Sequence, residues 1–201
     1  MLPVDTCKPY FDYLRKFIEV DSAMMELVAA HISEIRFPTK HLILQQGGVC
    51  NKVHFIVSGT ARSYYIDPAG VTVTWSLFFN NEASIGRNLF ALDYRAYLLN
   101  EPSSIAIETM SEVSTFVFHK DDVNFLMDNC VRYERFMRKL GEYAYAYMYE
   151  RAFTLLTMSA KERYSKLVKD EPHLMQMFSN YYLASYLGIA PQSLSRIRTQ
   201  H

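Results

Sequence analysis

The sequence predicts an α+β chain: an N-terminal antiparallel β-roll with flanking helices, one long helix, and a small all-helical C-terminal unit that closes in a helix-turn-helix. Three observations carry this prediction. The spacing of apolar residues switches from three-and-four to two after Pro38 and back again near Asp121. An uninterrupted helical pattern runs from residue 131 to about 157 with no proline and a single glycine, Gly141. The last 22 residues read as a short helix, a glycine turn and a second helix. With 201 residues, half of them apolar, the chain has room for a sensor-sized domain at 1–130, the long helix at 131–157 and a small domain at 158–201.

From residue 11 to about 33, Phe11, Leu14, Phe17 and Ile18, then Met24, Leu27, Val28 and Ile32, mark one or two short helices, with Asp21-Ser22 as a second N-cap. Residues 53–57, 61–66 and 71–77 then alternate as strands between turn signals at Gly47-Gly48, Ser58-Gly59 and 67–70, which predicts an antiparallel meander. A second strand pair, 104–109 and 113–118, follows a partly helical stretch at 86–92. Strands at this even spacing indicate a sandwich or barrel. Asp121-Asp122 are expected to cap a short helix ending near Asn129.

At 100° per residue, Phe136, Leu140, Tyr143 and Tyr147 of the long helix share one stripe, with Met137, Ala144, Met148, Ala152 and Leu155 beside it. A face this wide must be covered twice. The expected arrangement sets the first stripe, Phe136, Leu140, Tyr143 and Tyr147, in a dimer interface against a second copy; burial wholly inside one domain is the alternative. Tyr145 and Tyr149 point away from Tyr143 and Tyr147, so the tyrosines do not form a single ladder.

Ser159 and Glu162 have the spacing of a capping box and start a helix that ends before Pro172. In the terminal segment Leu183, Ala184 and Leu187 form the inner face of the first helix. Gly188 takes the left-handed turn, Ile189 plugs the angle, and Pro191 suits a helical first turn. Leu194 and Ile197 hold the second helix down, leaving Gln192, Ser193, Ser195, Arg196 and Arg198 facing outward. Those side chains match the major groove of double-stranded DNA: glutamine pairs with adenine, arginine with guanine, and serine with base or phosphate. Charge agrees, because residues 1–130 hold 10 Lys/Arg against 15 Asp/Glu, residues 131–201 hold 11 against 6, and nothing acidic follows Glu171.

Taken together, the strand run containing Gly59-Thr60-Ala61-Arg62, the long helix and the segment from Leu183 to Arg198 resemble the Crp/Fnr-type transcription regulators. The resemblance spans nearly the whole chain. It implies a cyclic-nucleotide-binding-like jelly roll, a dimerisation helix, DNA contacts from the second motif helix, and RNA polymerase as a further partner. In members that bind a cyclic nucleotide, a Gly-Glu pair opens the phosphate cassette and an arginine closes it. Here Glu82-Ala83-Ser84-Ile85-Gly86 lacks that order, and Pro102-Ser103-Ser104 stands where the arginine belongs. cAMP is therefore not the expected effector. An unknown small-molecule effector would draw on Arg62, Trp75, Arg87, Ser103 and Ser104, with Arg95 as another possible cation. The three cysteines are too few for an iron-sulfur cluster of the oxygen-sensing kind. His31, His54 and His119 are isolated, so neither haem nor another metal is expected.

No catalytic residues are expected: H-x-H, G-x-S-x-G and a glycine-rich phosphate loop are all missing. Cys7, Cys50 and Cys130 form no C-x-x-C pair and fit a reduced cytoplasm. Without some 18 consecutive apolar residues, no membrane partner is expected. The rival reading is a ligand-binding or protein-interaction module whose degenerate helix-turn-helix does not bind DNA. The segment before the motif is also short for a β-hairpin wing.

Overall fold

Two four-stranded antiparallel sheets face each other, with helices packed on the outer side of each. The computed structural model describes residues 2–199. A single 3-10 turn leads into α1 (Lys8–Leu14) and α2 (Ser22–Ala29). Asp21 caps α2 as expected, its carboxylate accepting from Met24 N at 2.9 Å. The strands are β1 (Ser33–Phe37), β2 (Leu42–Leu44), β3 (Lys52–Ser58), β4 (Thr60–Ile66), β5 (Thr72–Phe79), β6 (Phe90–Ala91), β7 (Ala106–Thr109) and β8 (Val113–His119). Two short helices, α3 (Gly86–Leu89) and α4 (Tyr94–Leu99), interrupt the run on either side of β6.

One sheet has the order β1-β8-β3-β6 and the other β2-β7-β4-β5. The expected meander is thereby corrected. Consecutive β3 and β4 lie in different sheets, β3 pairing with β8 and β6 and β4 with β5 and β7. The crossing occurs at Gly59, where φ is +87° and a Cβ would lie 2.0 Å from the carbonyl oxygen of Glu112. Only glycine fits both constraints. β1 and β2 escape the sequence pattern because both are half-exposed edge strands, held in place by pairing with β8 and β7.

Alternation along the strands divides the core. Phe55 of β3 points outward to a helical layer that includes Tyr10, Phe11, Leu126, Tyr133 and Phe136, whereas Ile56 points inward to Ala61, Phe78, Ile107 and Val113 between the sheets. On β5, Phe78 faces inward while Leu77 and Phe79 face the C-terminal helices. Both strands are buried on two sides there, which explains the consecutive apolar residues Phe55-Ile56-Val57 and Leu77-Phe78-Phe79.

The helical remainder comprises α5 (Lys120–Asn129), α6 (Val131–Thr157), α7 (Ala160–Asp170), α8 (Leu174–Met177), α9 (Asn180–Tyr186) and α10 (Pro191–Thr199). His119 is the N-cap of α5, so Asp121 and Asp122 occupy its first turn rather than the cap. There they favour the helix through its dipole. The capping box of α7 closes in both directions: Glu162 N donates to Ser159 Oγ at 3.3 Å, and Ser159 N donates to Glu162 Oε2 at 2.7 Å.

On the α6 face expected to meet a second copy, the position of Phe136 is corrected. Phe136 is fully buried in the outer aromatic core and Leu140 packs against that core. Tyr143 lies half-buried over Gly86, and the Tyr147 hydroxyl is 3.0 Å from that of Tyr186. Phe136 thus serves its own chain, while Leu140, Tyr143 and Tyr147 are half-buried on it. The large apolar side chains that α6 leaves exposed are Val131 at its start and Tyr145, Tyr149, Phe153 and Leu156 farther along.

Candidate nucleic-acid interface

α9 ends in a hydrogen-bond pattern that fixes its angle to α10. Ile189 N donates to Ala184 O at 3.0 Å and Gly188 N to Ser185 O at 3.1 Å, the paired bonds of a Schellman turn, with Gly188 at φ +67°. Ala190 then accepts from Ser193 N and Leu194 N, starting α10 with Pro191 in its first turn. Leu183, Ala184, Leu187 and Leu194 are buried together, with Ile189 and Ile197 packed against them. The inner faces are thus those read from the sequence.

Gln192, Ser195, Arg196 and Arg198 are exposed, and Ser193 is half-buried. Arg196 reaches back to Ser193 Oγ at 3.4 Å, and Arg198 bonds the side-chain oxygen of Asn180, tying the end of α10 to the start of α9. α10 thus carries six polar side chains, two of them cationic and none acidic, the donor and acceptor types that phosphate and base edges take.

The motif is docked on its own β-roll. Ser185 Oγ accepts from Thr74 N at 2.8 Å and donates to Thr72 O at 3.0 Å, occupying the open edge of β5. Arg151 of α6 donates to Thr74 O at 3.3 Å and Tyr186 O at 3.1 Å, and its guanidinium lies over the rings of Tyr186 and Trp75. Trp75 is therefore half-buried against α6.

The other residues expected to meet an effector have internal partners. Arg62 is buried and bonded to Glu108 at 2.7 Å, its cross-strand neighbour; it also bonds Thr74 Oγ1 at 3.2 Å and stacks between Tyr64 and Tyr182. Arg87 pairs with Glu171 and lies over Tyr147. Arg95 pairs with Glu101 at the surface. Ser103 Oγ and Ser104 N donate to the Asp93 carboxylate at 2.9 and 3.0 Å, and that carboxylate also caps α4 by accepting from Ala96 N at 3.1 Å. The Ser103 and Ser104 donors are thus taken by the Asp93 side chain. Asp93 escaped the sequence reading because only the fold brings it opposite Ser103.

Burial lifts the Cys50 thiol to about 11, which leaves it un-ionised at neutral pH. Among the described residues, no group of three or more His, Cys, Asp or Glu is placed to hold a metal ion, and no helix is long and apolar enough to cross a membrane.

A β-roll joined by a long helix to a helix-turn-helix defines the architectural class. No protein-family model matches the chain, and neither does any curated protein sequence. Solved structures do match. The c-di-GMP-responsive global regulator CLP of Xanthomonas campestris is similar over 90% of this chain and 91% of its own, with 15% identity and a TM-score of 0.68. FixK2 of Bradyrhizobium japonicum matches at 16% identity over 84% and 83% of the two chains, with a TM-score of 0.67. A CooA variant from Carboxydothermus hydrogenoformans matches at 12% identity over 90% and 79%, also with a TM-score of 0.67. The chain has the fold of these proteins over the matched residues.

Proposed function

We propose that this chain is a dimeric, sequence-specific transcription regulator of the Crp/Fnr type that acts in the cytoplasm, without catalytic activity. One observation carries the reading: a complete helix-turn-helix presents Gln192, Ser195, Arg196 and Arg198 to solvent with no acidic side chain on the same helix. α10 enters the major groove of double-stranded DNA, and Gln192 and Arg196 read base edges. The partners are a second copy of the chain, DNA, RNA polymerase and a small-molecule effector. cAMP is not that effector, since the Asp93 carboxylate holds the Ser103 and Ser104 donors and would repel a cyclic phosphate at close range. Dimerisation uses the exposed stripe Tyr145, Tyr149, Phe153 and Leu156, continued by Tyr94 of α4, whose hydroxyl lies over Gly141.

Selection of bound fragments from random duplex DNA tests the reading. The expected product is an inverted repeat with half-site centres about 34 Å apart, one turn of the double helix. Recovery of no enriched repeat rules the reading out. In the same assay Arg196→Ala is expected to weaken binding by roughly 1–3 kcal/mol and to relax preference at one base pair. An equal loss on every sequence would assign Arg196 to phosphate.

A further inference from the structure

A cavity of about 380 Å³ lies where α6, α7, the loop before α3 and the helix-turn-helix meet. Its charges do not balance. Arg87 on the wall is paired with Glu171, and Lys166 with Glu150 and Asp170. Arg151 and Arg163, among the described residues, have no carboxylate partner. Arg151 donates to the carbonyls of Thr74 and Tyr186 and lies over the rings of Trp75 and Tyr186, and Arg163 donates to the carbonyls of Leu155 and Met158, at 3.3 and 2.7 Å. The Nε of each guanidinium is buried without an acceptor, and Nε2 of His173 is buried without a hydrogen-bond partner among the described residues. Five buried side-chain atoms lack a hydrogen-bond partner among the described residues, and three of the five belong to the wall of this one void.

Buried polar atoms without partners are disfavoured wherever a partner can be supplied. These three come from separate elements, α6, α7 and the turn before α8. A planar carboxylate presents its acceptors in one plane, whereas a tetrahedral oxyanion presents them in several directions. Four cations against three carboxylates leave the wall one net positive charge, which favours an anionic occupant. The volume falls within the roughly 300–1,000 Å³ of small-molecule sites. Tyr147, Leu155 and Tyr186 supply an apolar wall beside the charged end.

We propose that this cavity binds a small molecule carrying a phosphate monoester, its phosphate held between Arg151 and Arg163 and its body against Tyr147, Leu155 and Tyr186. The site lies outside the β-roll, whose interior is filled by Ile56, Ala61, Phe78 and Ile107. Arg151 also bonds β5 and the end of α9, so an occupant touches the joint on which the reading helix is mounted. That regulatory consequence rests on the DNA-binding reading; the binding itself does not.

Calorimetric titration of the full chain, without DNA, tests the site with ribose 5-phosphate as probe and succinate as the planar dianion. Ribose 5-phosphate is expected to bind once per chain and succinate at least about tenfold more weakly. Arg163→Met removes one charge and is expected to weaken the sugar phosphate by about tenfold or more. Because Arg163 also caps the end of α6, Thr154→Phe serves as the second variant: it fills the cavity while keeping both arginines, and it is expected to abolish binding. No binding by ribose 5-phosphate at about 10 mM overturns the proposal. Equal affinity for succinate overturns its ligand class, and unchanged affinity in both variants overturns its location. Since no DNA is present, each of these results leaves the helix-turn-helix reading to its own test.

Discussion

His54 on β3 is shut away from water, its Nδ1 3.3 Å from Thr115 Oγ1 and its ring against Phe37. Burial, reinforced by the positive charges of Lys52 and His119, pushes its pKa down to about 4. In the unfolded chain the imidazole takes up a proton below about pH 6.5, but in the folded chain only below about pH 4. Between those values the unfolded state holds more protons, so stability falls as the pH falls and the loss is complete near the lower bound. The displacement corresponds to about 3 kcal/mol. His54→Gln should therefore lose less stability than the wild type when urea unfolding at pH 7 is compared with unfolding at pH 4.5; parallel losses would mean that His54 is not the titrating group. At this scale the sequence shows residue type but not partner. Arg62, Arg87, Ser103 and Ser104 look free in the sequence and are each engaged in the fold, because Glu108, Glu171 and Asp93 reach them only through strand register and helix docking.

At the level of elements, α6 shows what periodicity can and cannot decide. Its limits follow from a helical pattern bounded by Cys130 and Ser159, and the structure ends it at Thr157 as expected. Hydrophobic spacing reveals two apolar surfaces without saying which meets the β-roll. Phe136 went inward because Tyr10, Phe17 and Phe90 surround it there. Strand pairing was hidden for a similar reason: β3 and β4 each show a clean pattern, and nothing local says that Gly59 sends them to different sheets. The helix-turn-helix was readable because its constraints are local, a positive-φ glycine between two short amphipathic helices. On α6, Tyr145, Tyr149, Phe153 and Leu156 are 75%, 65%, 54% and 86% exposed. They follow one another at three- and four-residue steps, with the rings of Tyr149 and Phe153 stacked at 6.4 Å. A charge on this stripe should break a dimer without disturbing the fold. Tyr149→Glu combined with Leu156→Arg is expected to halve the mass measured by light scattering while leaving the thermal midpoint of the monomer nearly unchanged, since surface changes rarely exceed about 0.5 kcal/mol. A dimer mass in this variant would remove the stripe from the interface.

Across the whole molecule, the terminal helices and the β-roll form one packed body whose joint is β5. Thr74 is its hub: the backbone N–H meets Ser185, the carbonyl meets Arg151, and the hydroxyl meets Arg62. A sheet edge left open would pair with other chains, so Ser185 both closes the edge and holds α9 in place. Ser185→Ala removes the partner of Thr74 N and of Thr72 O together. If α9 stays docked, both groups are buried without partners, at about 1–3 kcal/mol, which favours opening of the joint by roughly five- to 150-fold. Hydrogen exchange reads that opening directly, because amides protected only by the docked state exchange at its rate of release. Thr74, Leu183 and Leu187 should accelerate together in Ser185→Ala, while Phe55 in the central strand β3 keeps its protection. Acceleration at Thr74 alone would mean that the serine closes the sheet edge but does not hold the helix. Joint acceleration of all three would make Ser185 a fastening of the helix-turn-helix to the sheet, and, on the proposed DNA-binding reading, its release is the motion a two-fold operator would require if the docked orientation does not match its half-site spacing.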